Sequence, residues 1–224
     1  LGAADAILFD LGLASWQIDT GYLGLSFQLE GSLDMRLSPK QPSDFTRKED
    51  DPSNWTGDAA LAQLVRMWRF RSAAEFIGQA REEELSNLFH SIGDVSGSRV
   101  LARRIVDGRS RGPIDTTESL VRTLGTRDPA RLAPLFAALR ILVNDEYGAL
   151  HAGLGDAWSI LVPNGRLAVI SFHSGEDRIV KRFLRSQPDA AQKLLIQPDS
   201  GEIQRNPRSR SAVLRVAQKS IQSS

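Results

Sequence analysis

Apolar positions along the chain recur with two different periods. Short continuous runs at about 6–10, 166–172, 193–197 and 212–217 read as strands. Between the first two runs the spacing is helical. Residues 72–91, SAAEFIGQAREEELSNLFHS, carry a Ser72 to Glu75 capping box and an apolar stripe through Phe76, Ile77, Leu85, Leu88 and Phe89, which predicts one helix. Helices follow at 98–110 and at 115–125, the latter opened by Asp115 with Glu118 and stopped by Gly125. Asp128 with Pro129 starts another that runs to about Val143, and Glu146 to Leu161 makes the last before the 166–172 strand. Residues 40–71 begin acidic and Pro-bearing and end in the amphipathic LAQLVRMWRF, which reads as a loop plus one docking helix or as a surface excursion covering its own domain. The pattern is that of an α/β chain in which a helical block interrupts the strands.

Two junctions carry ionisable groups where a strand gives way to polar sequence. In GRLAVISFHSGEDRIVKRF, residues 165–183, the run Leu167 to Phe172 reads as a buried strand. Ser174 with Asp177 then reads as a capping box, and Ile179, Val180, Phe183 and Leu184 give the next helix an inward face. Ligands of open α/β sheets bind beyond the carboxyl ends of the strands, which is where His173, Glu176 and Asp177 stand. The plain alternative for this polar trio is a solvated helix start. The second junction is Ala6 to Phe9 ending in Asp10, followed by a glycine-rich loop. An Asp at the tip of a buried strand is costly unless it is hydrogen-bonded or meets a ligand.

Composition narrows the class only a little. The 28 Lys plus Arg nearly balance 27 Asp plus Glu, no apolar run approaches a membrane span, and no secretory signal is visible at Leu1. With no Cys, a disulfide framework and a thiolate metal site are excluded, and no metal is expected. A net charge of +1 does not suggest nucleic acid, but basic clusters at 103–111, 178–185 and 205–211 are the kind of surface that neutralises phosphates.

DLGLASWQID, LGLSF, EGSLDMR, FAALRILVNDE, GRLAVISFHSGEDRIVKRF and NPRSRSAVLRVAQK, in this order, resemble the family of small-subunit ribosomal RNA cytosine methyltransferases, which methylate the 4-amino group of a decoding-site cytidine with S-adenosylmethionine. The resemblance runs from about Ala6 to Lys219. It implies an incomplete class I methyltransferase (Rossmann-like) sheet, mostly parallel with one antiparallel strand, carrying an inserted all-helical domain. The expected division is a strand with catalytic loops at 1–40, a family-atypical insertion at 41–71, a helical substrate-recognition domain at 72–145, and the remainder of the methyltransferase domain at 146–224. No G-x-G-type loop followed by a helix occurs near the start, so the glycine-rich part of the usual cofactor pocket is not expected here, and the Asp10 strand becomes an exposed apolar edge for a second chain to cover. Leu23, Trp16, Ser38, Leu135, Ala137 and Gly175 stand where the family has other residues.

The resemblance also implies roles. A cytosine 4-amino group is a poor nucleophile, so a catalyst must hold it in line with the methyl donor and accept hydrogen bonds from its protons. Asp10 suits that acceptor role, and Asp10 with Gln17 lines the cofactor site. Ser15, Asp19 and Asn144 are polar candidates near the base, and Phe27 or Trp16 could stack on a flipped-out cytosine. For Asn144 the alternative is helix termination, and for Phe27 core packing. His173 is a further candidate proton acceptor, or else it orders the strand-to-helix turn. Arg36, Arg140, Arg178, Lys181 and Arg208 are the candidate RNA contacts. The implied cofactor is S-adenosylmethionine. The implied partner is small-subunit RNA or the assembling subunit, in the cytoplasm or, for a eukaryotic source, in an organelle matrix. A catalytically degenerate assembly factor is the competing reading.

Overall fold

The structure is a computed structural model that describes residues 2–13, 17, 21–38 and 51–220. Two compact units divide the chain, one made of Leu1–Gly12 with Tyr147–Ser224 and the other of Leu13–Glu146. The described residues of 13–38, expected with the methyltransferase strands, group instead with the helices, as does the segment around 51–71.

The helical unit contains α1 (Ser53–Thr56), α2 (Ala59–Trp68), α3 (Ala73–Gln79), α4 (Glu82–Ser91), α5 (Ser98–Arg109), α6 (Thr117–Leu124) and α7 (Pro129–Asn144). The single helix expected at 72–91 is two helices. Ala80 and Arg81 are extended, with ψ of 147° and 157°, and the Glu84 carboxylate accepts from the Arg81 amide at 2.7 Å to start α4. Three consecutive glutamates, Glu82 to Glu84, then sit in the first turn of α4, where the helix dipole favours negative charge. A second start signal inside one apolar stripe therefore wins over the continuous pattern. The cap of α6 is likewise one residue later than expected. Thr116 with Ser119 forms the box rather than Asp115 with Glu118, while Gly125 ends α6 in the left-handed conformation as expected. In α2, Leu61, Leu64, Val65 and Trp68 are buried, and the Trp68 ring meets Phe76 edge-on at 5.2 Å.

The described loop at 21–38 folds back on itself. A Cβ on Gly24 would lie 2.0 Å from the Ser32 carbonyl and one on Gly31 would lie 1.8 Å from the Gly21 carbonyl, so both close approaches require glycine. The amides of Ala73 and Ala74 then donate to Asp34 and Leu33, and Thr117 accepts from the Gly31 amide while donating to the Leu29 carbonyl. Leu33 and Met35 are fully buried.

The other unit is built on a four-stranded sheet of β1 (Ala4–Asp10), β2 (Leu161–Ser171), β3 (Ala190–Ile196) and β4 (Val213–Lys219), in the order β1-β2-β4-β3. β1 and β2 are parallel and β4 opposes both β2 and β3, so three strands share a direction and one runs against them, as the resemblance implied. The preceding helix α8 (Glu146–Ile160) passes directly into β2, whose start lies several residues before the expected one. The intervening Pro163, Asn164 and Gly165 form an irregularity opposite β1, where the register shifts between Ala4 and Ala6. α9 (Ser174–Ser186) buries Ile179, Val180, Phe183 and Leu184, the inward face read from sequence, and α10 (Ser200–Arg205) with a 3₁₀ turn at Pro207–Ser211 leads to β4. β1 is an edge strand and is not buried: Leu8 is 63% exposed.

Candidate active site

β1 and β2 run parallel with Asp10 opposite Ile170, and the Leu11 amide extends the ladder to the Ile170 carbonyl at 3.1 Å. Asp10 and the Phe172–His173 pair therefore leave the sheet at the same carboxyl edge. Gly12, with φ of 102°, packs beside the Phe172 ring. The Asp10 side chain is exposed and has no hydrogen-bond or ion-pair partner among the described residues. This corrects the expectation of a buried carboxylate in need of a partner. On an edge strand water solvates it at no desolvation cost.

The start of α9 is also one residue earlier than the sequence predicts. His173, not Ser174, is the N-cap: its Nδ1 accepts from the Glu176 amide at 3.3 Å, and the Glu176 carboxylate accepts from the Phe172 amide at 2.8 Å. His173 Nε2 lies 3.1 Å from Glu176 Oε1 without hydrogen-bond alignment. Burial pushes the Glu176 carboxyl up, and this is the largest single influence on it. The His173 side chain and the Phe172 and His173 amides together outweigh burial and hold Glu176 below the ordinary carboxylate range. His173 is thus built into the strand-to-helix turn.

Asp177 is engaged elsewhere. Arg215 on β4 donates to both of its oxygens, at 2.6 and 2.9 Å, an ion pair that ties α9 to the sheet and raises the guanidinium above its usual range. Two features here were not read from sequence. One is this pair, whose partners stand 38 positions apart. The other is Tyr147, buried with its ring 5.9 Å from His173 and its hydroxyl so close to Gly175 that a Cβ there would lie 1.8 Å away.

In the helical unit, Asn144 closes α7 onto the 35–37 loop. Its amide donates to Met35 O and Arg140 O and accepts from the Leu37 amide, each at 2.9 Å. Three of the four hydrogen bonds available to the side chain are filled, so Asn144 acts here as a clamp on the loop. Asp145 follows in the left-handed conformation and pairs with Arg69 at 2.7 Å. Phe27, half-buried, meets Phe136 edge-on at 5.8 Å. Ser15, Trp16 and Asp19 lie outside the described residues, whereas Gln17 is described and half-buried.

The expected RNA contacts differ in their surroundings. Arg36 is held bidentately by Asp34 at 2.5 and 2.9 Å, and Arg140 by Glu146 at 2.7 and 2.9 Å. Each of these guanidinium charges is locally neutralised. Arg178, Lys181 and Arg208 are exposed. No group of His, Asp or Glu among the described residues is arranged to hold a metal ion, and none of the described helices is long and apolar enough to cross a membrane.

A family model described as the MraW methylase family matches residues 1–49 and 54–220, which takes in most of the 41–71 segment. Curated relatives named ribosomal RNA small subunit methyltransferase H include those of Methylobacillus flagellatus, 37% identical over 96% of this chain and 67% of the relative, and Trichormus variabilis, 39% over 96% and 64%. That of Methylococcus capsulatus is 36% identical over 97% of this chain and 71% of the relative. The chain thus spans about two thirds of the length of the curated relatives it matches.

Proposed function

The chain belongs to the MraW methylase family, and from that premise we propose that it takes part in S-adenosylmethionine-dependent methylation of small-subunit ribosomal RNA in the cytoplasm. More narrowly, we propose the 4-amino group of a cytidine near the decoding site as the acceptor. The observation that carries the reading is the exposed Asp10 carboxylate, without a partner among the described residues, at the carboxyl edge of two parallel strands, the position at which open α/β sheets meet their ligands. When bound, S-adenosylmethionine supplies an electrophilic methyl group carried on a positive sulfonium. A carboxylate without a partner among the described residues fits such a cation, so Asp10 would hold it.

Asp10 has a second use at the same place. It accepts a hydrogen bond from the exocyclic amine, which aims the nitrogen lone pair and stabilises the positive charge that grows on nitrogen. It is also the group to which the surplus amine proton passes. His173, locked in the α9 cap, holds the 171–176 turn in shape beside it. Asn144 keeps the 35–37 loop in place through its clamp.

The test is transfer of tritiated methyl to small-subunit RNA, followed by digestion to nucleosides and chromatography. The chain is supplied with the segment by which its relatives exceed it. Label in 4-N-methylcytidine is expected. Label only on ring carbon or ribose refutes the acceptor assignment, and absence of label refutes the activity.

A further inference from the structure

The helical unit contains a cleft of about 300 Å³ between the end of α5 and α6, lined by Gly108, Arg111, Gly112, Ile114, Arg122 and Thr123 among others. We propose that this cleft is a phosphodiester-binding site that grips the backbone of the RNA substrate. The proposal rests on the RNA reading above and adds a place to it. The argument begins with charge. No carboxylate lines the cleft, and its two guanidinium groups, Arg111 in the turn after α5 and Arg122 in the last turn of α6, are exposed and unpaired among the described residues.

Neighbouring arginines differ. Arg104 donates to the Leu124 carbonyl, and Arg109 to the Ile77 carbonyl, where burial lowers its pKa. Both serve the carbonyl ends of helices and are used in the fold. Of the acids in the segment, Glu118 is already held by Arg127 at 2.8 Å. Over residues 98–127 there are seven arginines against Asp107, Asp115 and Glu118, a surplus of four positive charges, and the cleft is where two unpaired members of that surplus converge.

Shape and hydrogen bonding agree with a phosphate. The Ser119 hydroxyl is occupied in the α6 cap, donating to Thr116 O and accepting from its amide. The Thr123 hydroxyl has no partner among the described residues and lies over Gly108. A Cβ on Gly108 would come 2.4 Å from Thr123 Cγ2, so the glycine sets the close approach of α5 and α6 that brings the Arg111 turn beside Arg122. The rim residue Gly112 has φ of 144°, a backbone that only glycine adopts readily. Two forked donors and a free hydroxyl, with no acceptor carboxylate, match an anion with three or more acceptor oxygens. The volume lies at the bottom of the range of about 300–1,000 Å³ for small-ligand sites, enough for a phosphate with its ribose and too little for a docked helix.

The test measures binding of residues 1–224 to labelled polyuridine and to a small-subunit RNA transcript by fluorescence anisotropy across a salt series. Phosphate contacts carry no sequence information, so R111Q/R122Q should lower the slope of log K against log salt by about 1.4 to 1.8 for two lost contacts, equally on both RNAs. That change corresponds to roughly ten- to thirty-fold weaker binding near physiological salt. R111K/R122K should keep the slope, since it keeps the charges. Wild-type binding with an unchanged slope in R111Q/R122Q overturns the cleft assignment while leaving the RNA reading intact. Failure of the wild-type chain to bind either RNA overturns both. Unchanged RNA binding with loss of binding to a phosphoserine peptide would assign the cleft to a protein partner instead. Unchanged far-ultraviolet circular dichroism of both variants keeps the comparison one of binding.

Discussion

Gly175 in the first turn of α9 offers a case in which two effects of opposite sign can be weighed. Replacing a helical glycine by alanine ordinarily stabilises by up to about 1 kcal/mol, through helix propensity and the reduced freedom of the unfolded chain. Gly175 does not have the left-handed backbone that would forbid the change. Space decides against it. The new Cβ would lie 1.8 Å from the Tyr147 hydroxyl and 2.7 Å from Cζ, with His173 Nδ1 at 3.3 Å. Tyr147 is only 5% exposed, so its rigid ring cannot swing out of the way. Overpacking of this kind typically costs about 1–3 kcal/mol, and the overlap is with a ring rather than a flexible tip. Gly175→Ala should therefore destabilise the unit by about 1–2 kcal/mol net, lowering Tm by roughly 2–8 °C for a chain of this size. Thermal and urea unfolding give the number. The cycle with Tyr147→Leu then isolates its cause, since truncating the ring should make Gly175→Ala at least about 1 kcal/mol less harmful than it is beside tyrosine. Gly175→Ala at or above wild-type stability, or an additive cycle, refutes the packing argument.

Further predictions concern the site. Asp10→Ala should lower methyl transfer at saturating S-adenosylmethionine by about a hundred-fold or more, while changing stability by less than about 0.5 kcal/mol because the side chain is exposed and has no partner among the described residues; His173→Ala should do the reverse, losing stability with the α9 cap and less of the rate. Near-normal turnover for Asp10→Ala exchanges the two roles. Glu176 titrates below its unfolded value near 4.3, so the stability it contributes is complete above that pH and is lost as pH falls through its lower folded pKa; Glu176→Gln should flatten the acid limb of a stability–pH curve, and an unchanged limb refutes the assignment. Replacing Arg178, Lys181 and Arg182 together should reduce the salt slope of RNA binding, whereas Arg36→Ala and Arg140→Ala, whose charges are already matched by Asp34 and Glu146, should leave it unchanged and lower stability instead.

Much of this arrangement was legible in the order of residues. Hydrophobic periodicity placed the four strands and most of the helices. Apolar stripes named the buried faces of α4 and α9, and six motifs in series pointed to the family. These are local or collective signals, repeated over many positions, and they survive small errors in phase. Caps did not survive them. Ser174 with Asp177 and His173 with Glu176 both satisfy a three-residue spacing, as do Asp115 with Glu118 and Thr116 with Ser119, and a spacing rule cannot choose between neighbours one residue apart. Tertiary contacts chose: Asp177 was drawn to Arg215 across the sheet, which left Glu176 to turn back to the Phe172 amide. The same kind of decision sorted the charges. As types in a sequence, Arg36, Arg140, Arg111 and Arg122 are equivalent cations. Only the fold sets Asp34 and Glu146 against the first two and leaves the second two facing one cleft, because the energy of a charge depends on what stands within a few ångströms of it, and chain neighbours alone do not determine that.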